Sequence, residues 1–267
     1  MKLFYRKFGD GPPLIILHGL YGASDNWVTV ARQLAEHYTV ILPDQRNHGQ
    51  SPHSGIHDYD SMRDDLLELV TDLRLKKFFL AGHSMGGITA IAFAIKWPEM
   101  LNGLVVADIS PFTNERTKVD VYNQHIAILK TILSIDISSI RSRGQAESLL
   151  LEKIPSEKER AIIMKNLQRN ANDRFTWKMN PESLYNNIEN ILAGIDLREA
   201  LIHPVTGFPV IFLKGSYSDY LSYPDMAEIK KVFPAAELIE IMGAGHWIHA
   251  DKPQEVIVQI SRLLTDY

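Results

Sequence analysis

The residues of this chain that could do chemistry gather at short glycine-rich turns. Gly82-His83-Ser84-Met85-Gly86-Gly87 directly follows the apolar run Phe78–Ala81 and directly precedes a helical pattern. A serine between glycines in that strand–turn–helix setting reads as a nucleophile elbow. The turn is tight and strained, the flanking glycines let neighbouring chain approach, and the serine hydroxyl projects over the strand ends. A plain helix start capped by Ser84 is the competing structural reading. A second turn, His18-Gly19-Leu20-Tyr21-Gly22, follows the run Leu14–Leu17. It can aim the Leu20 amide at the serine, so that the N–H groups of Leu20 and Met85 form an oxyanion hole for a tetrahedral intermediate.

A serine nucleophile needs a base and an acid. Of the ten histidines, His246 stands in Gly243-Ala244-Gly245-His246-Trp247, after the last strand-like run and after every candidate acid. That matches the Ser, acid, His order of the elbow architecture. His249 is expected at the surface or as a cap, and His18 and His83 as groups that bond to backbone and shape their turns. His37, His53, His57, His125 and His203 carry no special context. Two carboxylates compete for the third place. Asp108 ends the run Leu104–Ala107, where a strand end puts it on the crevice side; a cap of the segment that follows is the competing structural reading. Asp219 lies shortly after Phe212-Leu213-Lys214-Gly215. Asp44 reads as a loop organiser bonding to amides around Arg46–Gly49.

The elements that must position these residues follow a simple rhythm. Leu14–Leu17, Tyr38–Leu42, Phe78–Ala81, Leu104–Ala107, Pro209–Leu213 and Glu237–Ile241 are short apolar runs. Most are continuously apolar, which fits strands covered on both faces. Helical patterns at Asn26–His37, Tyr59–Leu73, Met85–Trp97, Pro224–Phe233 and Pro253–Leu264 separate them. The alternation predicts an α/β fold with a mostly parallel central sheet flanked by helices. Residues 111–206 break the rhythm, with helical patterns at Val121–Ile132, Ala146–Lys153, Glu157–Arg169 and Pro181–Ile195 and no clear strand. They are expected to form an inserted helical cap, a lid over the crevice, between core segments 1–110 and 207–267.

Composition narrows the function classes. The 267 residues are 45% hydrophobic and 22% charged, with a formal net charge of −4 and no cysteine. High hydrophobicity with low net charge excludes a disordered chain. Without thiols, disulfide scaffolds, cysteine-ligated metal sites and a cysteine nucleophile are impossible. No Lys/Arg block offers a footprint for nucleic acid. No segment reaches the roughly 18 uninterrupted apolar residues of a membrane span, so no stable membrane insertion is expected. The charged start MKLFYRKFGDG lacks a signal-peptide core, and a cytoplasmic location is expected.

Together these motifs, with Asp44-Gln45-Arg46-Asn47-His48-Gly49-Gln50-Ser51 in the pattern D-x-R-x-x-G-x-S, resemble the α/β-hydrolase family over nearly the whole chain. In most members the acid lies three residues after the glycine that ends the penultimate strand. Here that position is Ser218, with Asp219 one place later. RNHGQS, GHSMGG, ADISP and AGAGHW look closest to the YbfF-like bacterial esterases, whose acid sits on the strand after the elbow. The resemblance therefore implies a triad of Ser84, His246 and Asp108, with Ser218 adding a hydrogen bond and Asp219 as the alternative acid. It implies acyl transfer from a small-molecule ester or thioester, with neither cofactor nor metal. C–C bond hydrolysis, a menaquinone-pathway elimination or a non-catalytic ligand-binding role are the alternatives. Tyr21, Trp247, Trp177 and Tyr185 are candidates to line an acyl pocket.

Overall fold

A computed structural model describes residues 1–112 and 115–265. Its strands are β1 (Tyr5–Phe8), β2 (Pro13–Leu17), β3 (Thr39–Pro43), β4 (Phe78–His83), β5 (Leu101–Ala107), β6 (Leu167–Arg169), β7 (Phe175–Trp177), β8 (Val210–Gly215) and β9 (Ala236–Ile241). Seven of them form one sheet in the order β1-β3-β2-β4-β5-β8-β9, parallel throughout except for β1. The helices are α1 (Val28–Leu34), α2 (Tyr59–Asp72), α3 (Met85–Lys96), α4 (Glu115–Ser134), α5 (Arg143–Leu151), α6 (Glu157–Lys165), α7 (Pro181–Asn186), α8 (Ile188–Ala193), α9 (Arg198–Ile202), α10 (Asp225–Val232), α11 (Ile248–Asp251) and α12 (Pro253–Thr265). No helix among the described residues is long and apolar enough to cross a membrane.

The continuous apolar runs are explained by what covers them. Successive strand residues point to opposite faces. Ile15, Leu17, Leu80, Leu104, Val106 and Phe212 therefore join one buried cluster with residues of α2 and α3. Leu14, Ile16, Ala81, Val105, Ala107 and Leu213 join another with residues of α1 and α12. Strand β1, which the sequence reading lacks, is an edge strand of alternating exposure written Tyr-Arg-Lys-Phe. Only half of its side chains need be apolar, so its pattern does not rise above that of a loop.

The crossover from β5 to β8 is where sequence and structure differ most. It contains helices α4 to α9, but also the antiparallel hairpin β6–β7, against the expectation of no strand there. Asn170-Ala171-Asn172-Asp173 turns the hairpin with Asp173 at φ +57°, and Arg169 lies 4.4 Å from the Phe175 ring centroid. Three-residue strands are too short to announce themselves by periodicity. The single helix expected over Pro181–Ile195 is two, broken at Asn187. The Asn187 side-chain amide donates to the Gly55 carbonyl at 2.8 Å and to the Ser183 carbonyl at 2.9 Å, competing with the helical ladder.

This crossover is tied to the sheet-bearing part on two sides of the crevice. Asn180 N–H donates to the Asn47 carbonyl at 2.8 Å, and the Ser183 hydroxyl to the Ser54 carbonyl at 2.6 Å. On the other side, the Asn166 side chain donates to the Tyr21 carbonyl at 2.7 Å.

The loop after β3 owes its shape to buried charge. Asp44 accepts the amides of Ser24 (2.6 Å) and Gln50 (2.8 Å), so it does organise the loop, through different amides than expected. Arg46 is 8% exposed and grips Asp65 with two hydrogen bonds, Nε to Oδ2 at 2.6 Å and Nη2 to Oδ1 at 2.9 Å. Removing Arg46 leaves buried Asp65 with the partly exposed Met1 ammonium, 2.6 Å away, as its remaining charged partner, and strips the Ile56 and Ser61 carbonyls of the guanidinium that donates to them. Arg46→Leu is expected to destabilise the fold by about 3–5 kcal/mol in urea titration. Arg198→Leu, which breaks the exposed Arg198–Asp196 pair, should leave the midpoint unchanged. Equal stability of the two variants would show that the buried pair carries no special weight.

Candidate active site

The parallel strands bring their carboxyl ends to one crevice, and the sequence-predicted residues stand on those ends. Strand β2 runs into His18–Gly22, β4 into Ser84, β5 into Asp108, β8 into Gly215–Ser218 and β9 into the turn that carries His246. Crevices of this kind form where the strand order reverses, here between β2 and β4.

Ser84 has φ +53° and ψ −121°, a region that L side chains rarely enter. The elbow is possible because β4, α3 and the end of β2 lie almost in backbone contact. A Cβ on Gly82 would sit 2.2 Å from the Gly86 carbonyl oxygen, and one on Gly86 would sit 2.5 Å from that of His18. Ser84 N–H donates to the Ala107 carbonyl at 3.0 Å, which pins the elbow to β5.

Ser84 Oγ lies 3.0 Å from His246 Nε2, and His246 Nδ1 lies 2.8 Å from Asp108 Oδ2. Asp108 is fully buried, and both its oxygens are occupied. Oδ1 accepts the Gly215 amide at 2.8 Å, and Oδ2 also accepts the Ser218 hydroxyl. A carboxylate in that position makes Nδ1–H the donor and leaves Nε2 to accept from the serine. Asp219, in contrast, is exposed and has no bond to His246. The His246 turn packs against β8 so closely that a Cβ on Gly215 would lie 2.3 Å from the Gly245 carbonyl oxygen. The Tyr220 ring stacks on the His246 ring at 3.9 Å between centroids.

The turn after β2 is held by two neutral imidazoles. His18 Nε2 accepts the Gln45 amide at 3.0 Å, so its Nδ1–H donates to the Gly19 carbonyl at 2.9 Å. His48 Nε2 accepts the Tyr21 amide at 3.3 Å, and its Nδ1–H donates to the Arg46 carbonyl at 2.9 Å. Tyr21 itself is at φ +62°. Neither Leu20 N–H nor Met85 N–H meets an acceptor among the described residues. His83 Nε2 bonds to the His246 carbonyl at 2.8 Å, as a turn-shaping group should. His249 overturns the expectation of a surface group. It is 6% exposed and stacks on Trp27 at 4.4 Å, because the one-turn helix α11 folds it under His83.

Two cavities meet at Ser84. The first, about 90 Å³, is walled by Met85, Ile88, Ile109, Val121, Ile191 and Leu192. The second, about 180 Å³, is lined by His246, Trp247, Tyr21, Gln124, Glu159 and Ile162. Leu20, His125 and Tyr220 border both. Tyr21 and Trp247 thus face the second cavity, whereas Trp177 and Tyr185 line neither. Among the described residues, no Arg or Lys lines either cavity. His125, which also bonds to the Tyr21 hydroxyl at 3.1 Å, is a residue that the sequence reading passed over. Its context becomes visible only when α4 lies across the crevice. Among the described residues, no group of three or more His, Asp or Glu side chains is arranged to hold a metal ion.

Burial sets the charge state of the histidine frame. It pushes His57 and His249 down to about 3 and His125 to about 4, and holds His48 and His83 well below the ordinary 6.5. These rings take up protons more readily in the unfolded chain than in the folded one. Their stability contribution is therefore complete above pH 6.5 and is lost as the pH falls toward 3. The melting temperature is expected to drop steadily between pH 6.5 and 4, and His249→Phe, which keeps an aromatic ring against Trp27, should make the drop shallower. A melting temperature that stays level over that range would contradict this account.

Comparison with known proteins agrees with this architecture. The α/β-hydrolase fold family matches residues 12–126. The sn-1-specific diacylglycerol lipase ABHD11 of Danio rerio is 38% identical over 259 residues, covering 96% of this chain and 79% of that protein. Esterase YbfF of Escherichia coli strain K12 is 29% identical over 258 residues, covering 96% of this chain and 94% of its own. Among solved structures, one described as a marine microorganism esterase superposes with a TM-score of 0.91 at 41% identity, covering 98% of this chain and 99% of that one. The chain belongs to the α/β-hydrolase fold family.

Proposed function

We propose that this protein is a serine hydrolase that cleaves small carboxylic esters or thioesters through an acyl-enzyme on Ser84. The observation that carries the reading is the unbroken hydrogen-bond chain from Ser84 Oγ through the His246 ring to Asp108. Relatives named as esterases and lipases support the reaction class.

In the first half-reaction His246 Nε2 takes the Ser84 proton while Oγ bonds to the substrate carbonyl carbon. The carbonyl electron pair moves onto oxygen, where the Leu20 and Met85 N–H groups serve as donors. Asp108 holds the imidazole in the tautomer that accepts this proton and stabilises the imidazolium that results. Collapse of the intermediate breaks the bond to the leaving group, which departs with the proton from His246. Water, deprotonated by the same ring, then attacks the acyl carbon; the second intermediate collapses with cleavage of the Ser84 Oγ–acyl bond, the carboxylic acid leaves, and the proton on His246 returns to Ser84 Oγ.

The cavities divide the substrate between them. His246 must reach the leaving atom and lines only the second cavity, so the leaving group belongs there and the acyl chain in the apolar first cavity. Residues 111–206 serve as the cap over both, on a core of 1–110 and 207–267. C–C bond hydrolysis or elimination of a carboxylate-rich substrate is disfavoured, since among the described residues no Arg or Lys lines the cavities and Arg46 is committed to Asp65.

A fluorophosphonate probe is expected to label native protein at Ser84, and Ser84→Ala should abolish both labelling and turnover of a p-nitrophenyl acyl ester. Asp108→Asn is expected to lower turnover by ~10⁴, as loss of a triad acid does. Asp219→Asn should stay near wild type. If native protein does not label, the hydrolase reading is lost. If Asp219→Asn is the inactive variant, the acid has been misassigned.

A further inference from the structure

The second cavity holds one carboxylate that the reaction does not use. Glu159 is the third residue of α6, and Ser156-Glu157-Lys158-Glu159 has the S-x-x-E form of a capping box. In that motif the glutamate reaches back to the amide of the capping serine. Here only half of the motif forms. Ser156 Oγ accepts the Glu159 amide at 3.3 Å, whereas the Glu159 carboxylate turns away from its own helix end. Its Oε1 accepts instead from the Gln124 side chain, 35 residues distant on α4. The second oxygen, Oε2, has no partner among the described residues.

This leaves a half-buried carboxylate with a free oxygen in the wall of the cavity that His246 lines. Burial raises the Glu159 carboxyl above its ordinary range, opposed by the Gln124 bond and by the charge of His246. The phenols beside it are protonated: Tyr220 is pushed up to about 12, by burial first and then by the Glu159 and Asp108 charges, and burial raises Tyr21 well above its usual value. Among the described residues, Glu159 is the only carboxylate lining either cavity, and no Arg or Lys there offsets it. A half-buried acceptor of this kind attracts a hydrogen-bond donor or a cation and repels a second anion. The aromatic rings of Trp247 and Tyr21 in the same wall are also compatible with a cation.

We propose that the second cavity is a leaving-group subsite in which Glu159 selects alcohols bearing a hydrogen-bond donor, a hydroxyl or a protonated amine, and rejects anionic ones. The proposal rests on the ester-hydrolase reading and specifies its substrate class. The acyl half is left to the apolar cavity, and discrimination comes from the alcohol half. Gln124 acts as a positioning residue, since its bond to Oε1 fixes which oxygen is left to the ligand.

The test uses four esters of one short acyl chain that differ only in the alcohol: ethyl, 2-hydroxyethyl, 2-(dimethylammonio)ethyl and carboxymethyl. The two donor-bearing esters should exceed the ethyl ester in kcat/KM by about tenfold, the value of one hydrogen bond to a charged group, and the carboxymethyl ester should fall below it by a similar factor. Glu159→Gln should collapse the span between the ammonium and carboxymethyl esters, a change in ratio that a merely structural role would not produce. Equal kcat/KM for the four esters in the wild-type protein would overturn the proposal without any variant. A Glu159→Gln protein that keeps the wild-type ratios would overturn it too. Turnover of the ethyl ester and labelling of Ser84 report separately on the hydrolase reading, so the two ideas fail independently.

Discussion

The site depends on one steric constraint: β4, its elbow and the start of α3 lie in near backbone contact with the end of β2. Any side chain at Gly82 or Gly86 would have to occupy space already filled by the carbonyls of Gly86, His18 and Leu17. That closeness holds Ser84 at φ +53°, a conformation that costs about 1–3 kcal/mol for a residue with a Cβ. Sheet pairing of β4 with β2 and β5 supplies the surrounding rigidity. Tyr21 and Asp108, on the neighbouring strand ends, also have φ near +60°, at +62° and +53°. The three strained positions lie around one crevice, as expected where a scaffold over-determines a reactive geometry.

Asp108 illustrates how a carboxylate can reach the same histidine from a different strand end. The pattern of most family members puts the acid after β8, at the position of Ser218. Here the carboxylate comes from the end of β5 instead, and the β8 loop contributes the hydroxyl of Ser218 and the amide of Gly215 to its oxygens. The two strands are hydrogen-bonded neighbours, paired up to Ala107 and Leu213, so an acid from either one can reach the same histidine. The exchange keeps His246 with a buried, fully bonded partner.

The β5–β8 crossover is hydrogen-bonded to the turns around the crevice on two sides. Asn166 and His125, both from this segment, bond to the carbonyl and hydroxyl of Tyr21, the residue that follows Leu20 in the turn after β2. On the far side, Asn180, Ser183 and Asn187 bond to the loop containing Asn47, Ser54 and Gly55. The turn that presents Leu20 is thus held from below by His18 and His48 and from above by the crossover.

The sequence alone determined the features that depend on local spacing. A serine between glycines after an apolar run, a second glycine turn after another, and a histidine after the last strand each carry their meaning within a few residues, because turns and strand ends are local structures. The two-sided sheet was legible for the same reason, in the unbroken apolar runs of β2, β4 and β5. Tertiary structure alone decided whatever required distant residues to meet. It separated buried Asp108 from exposed Asp219, broke the helix at Asn187, formed the short β6–β7 hairpin, and moved His249 from the expected surface into a stack on Trp27. It also put His125 and Glu159 into the crevice wall, which no local pattern could show, since a helix face acquires its role only from what packs against it.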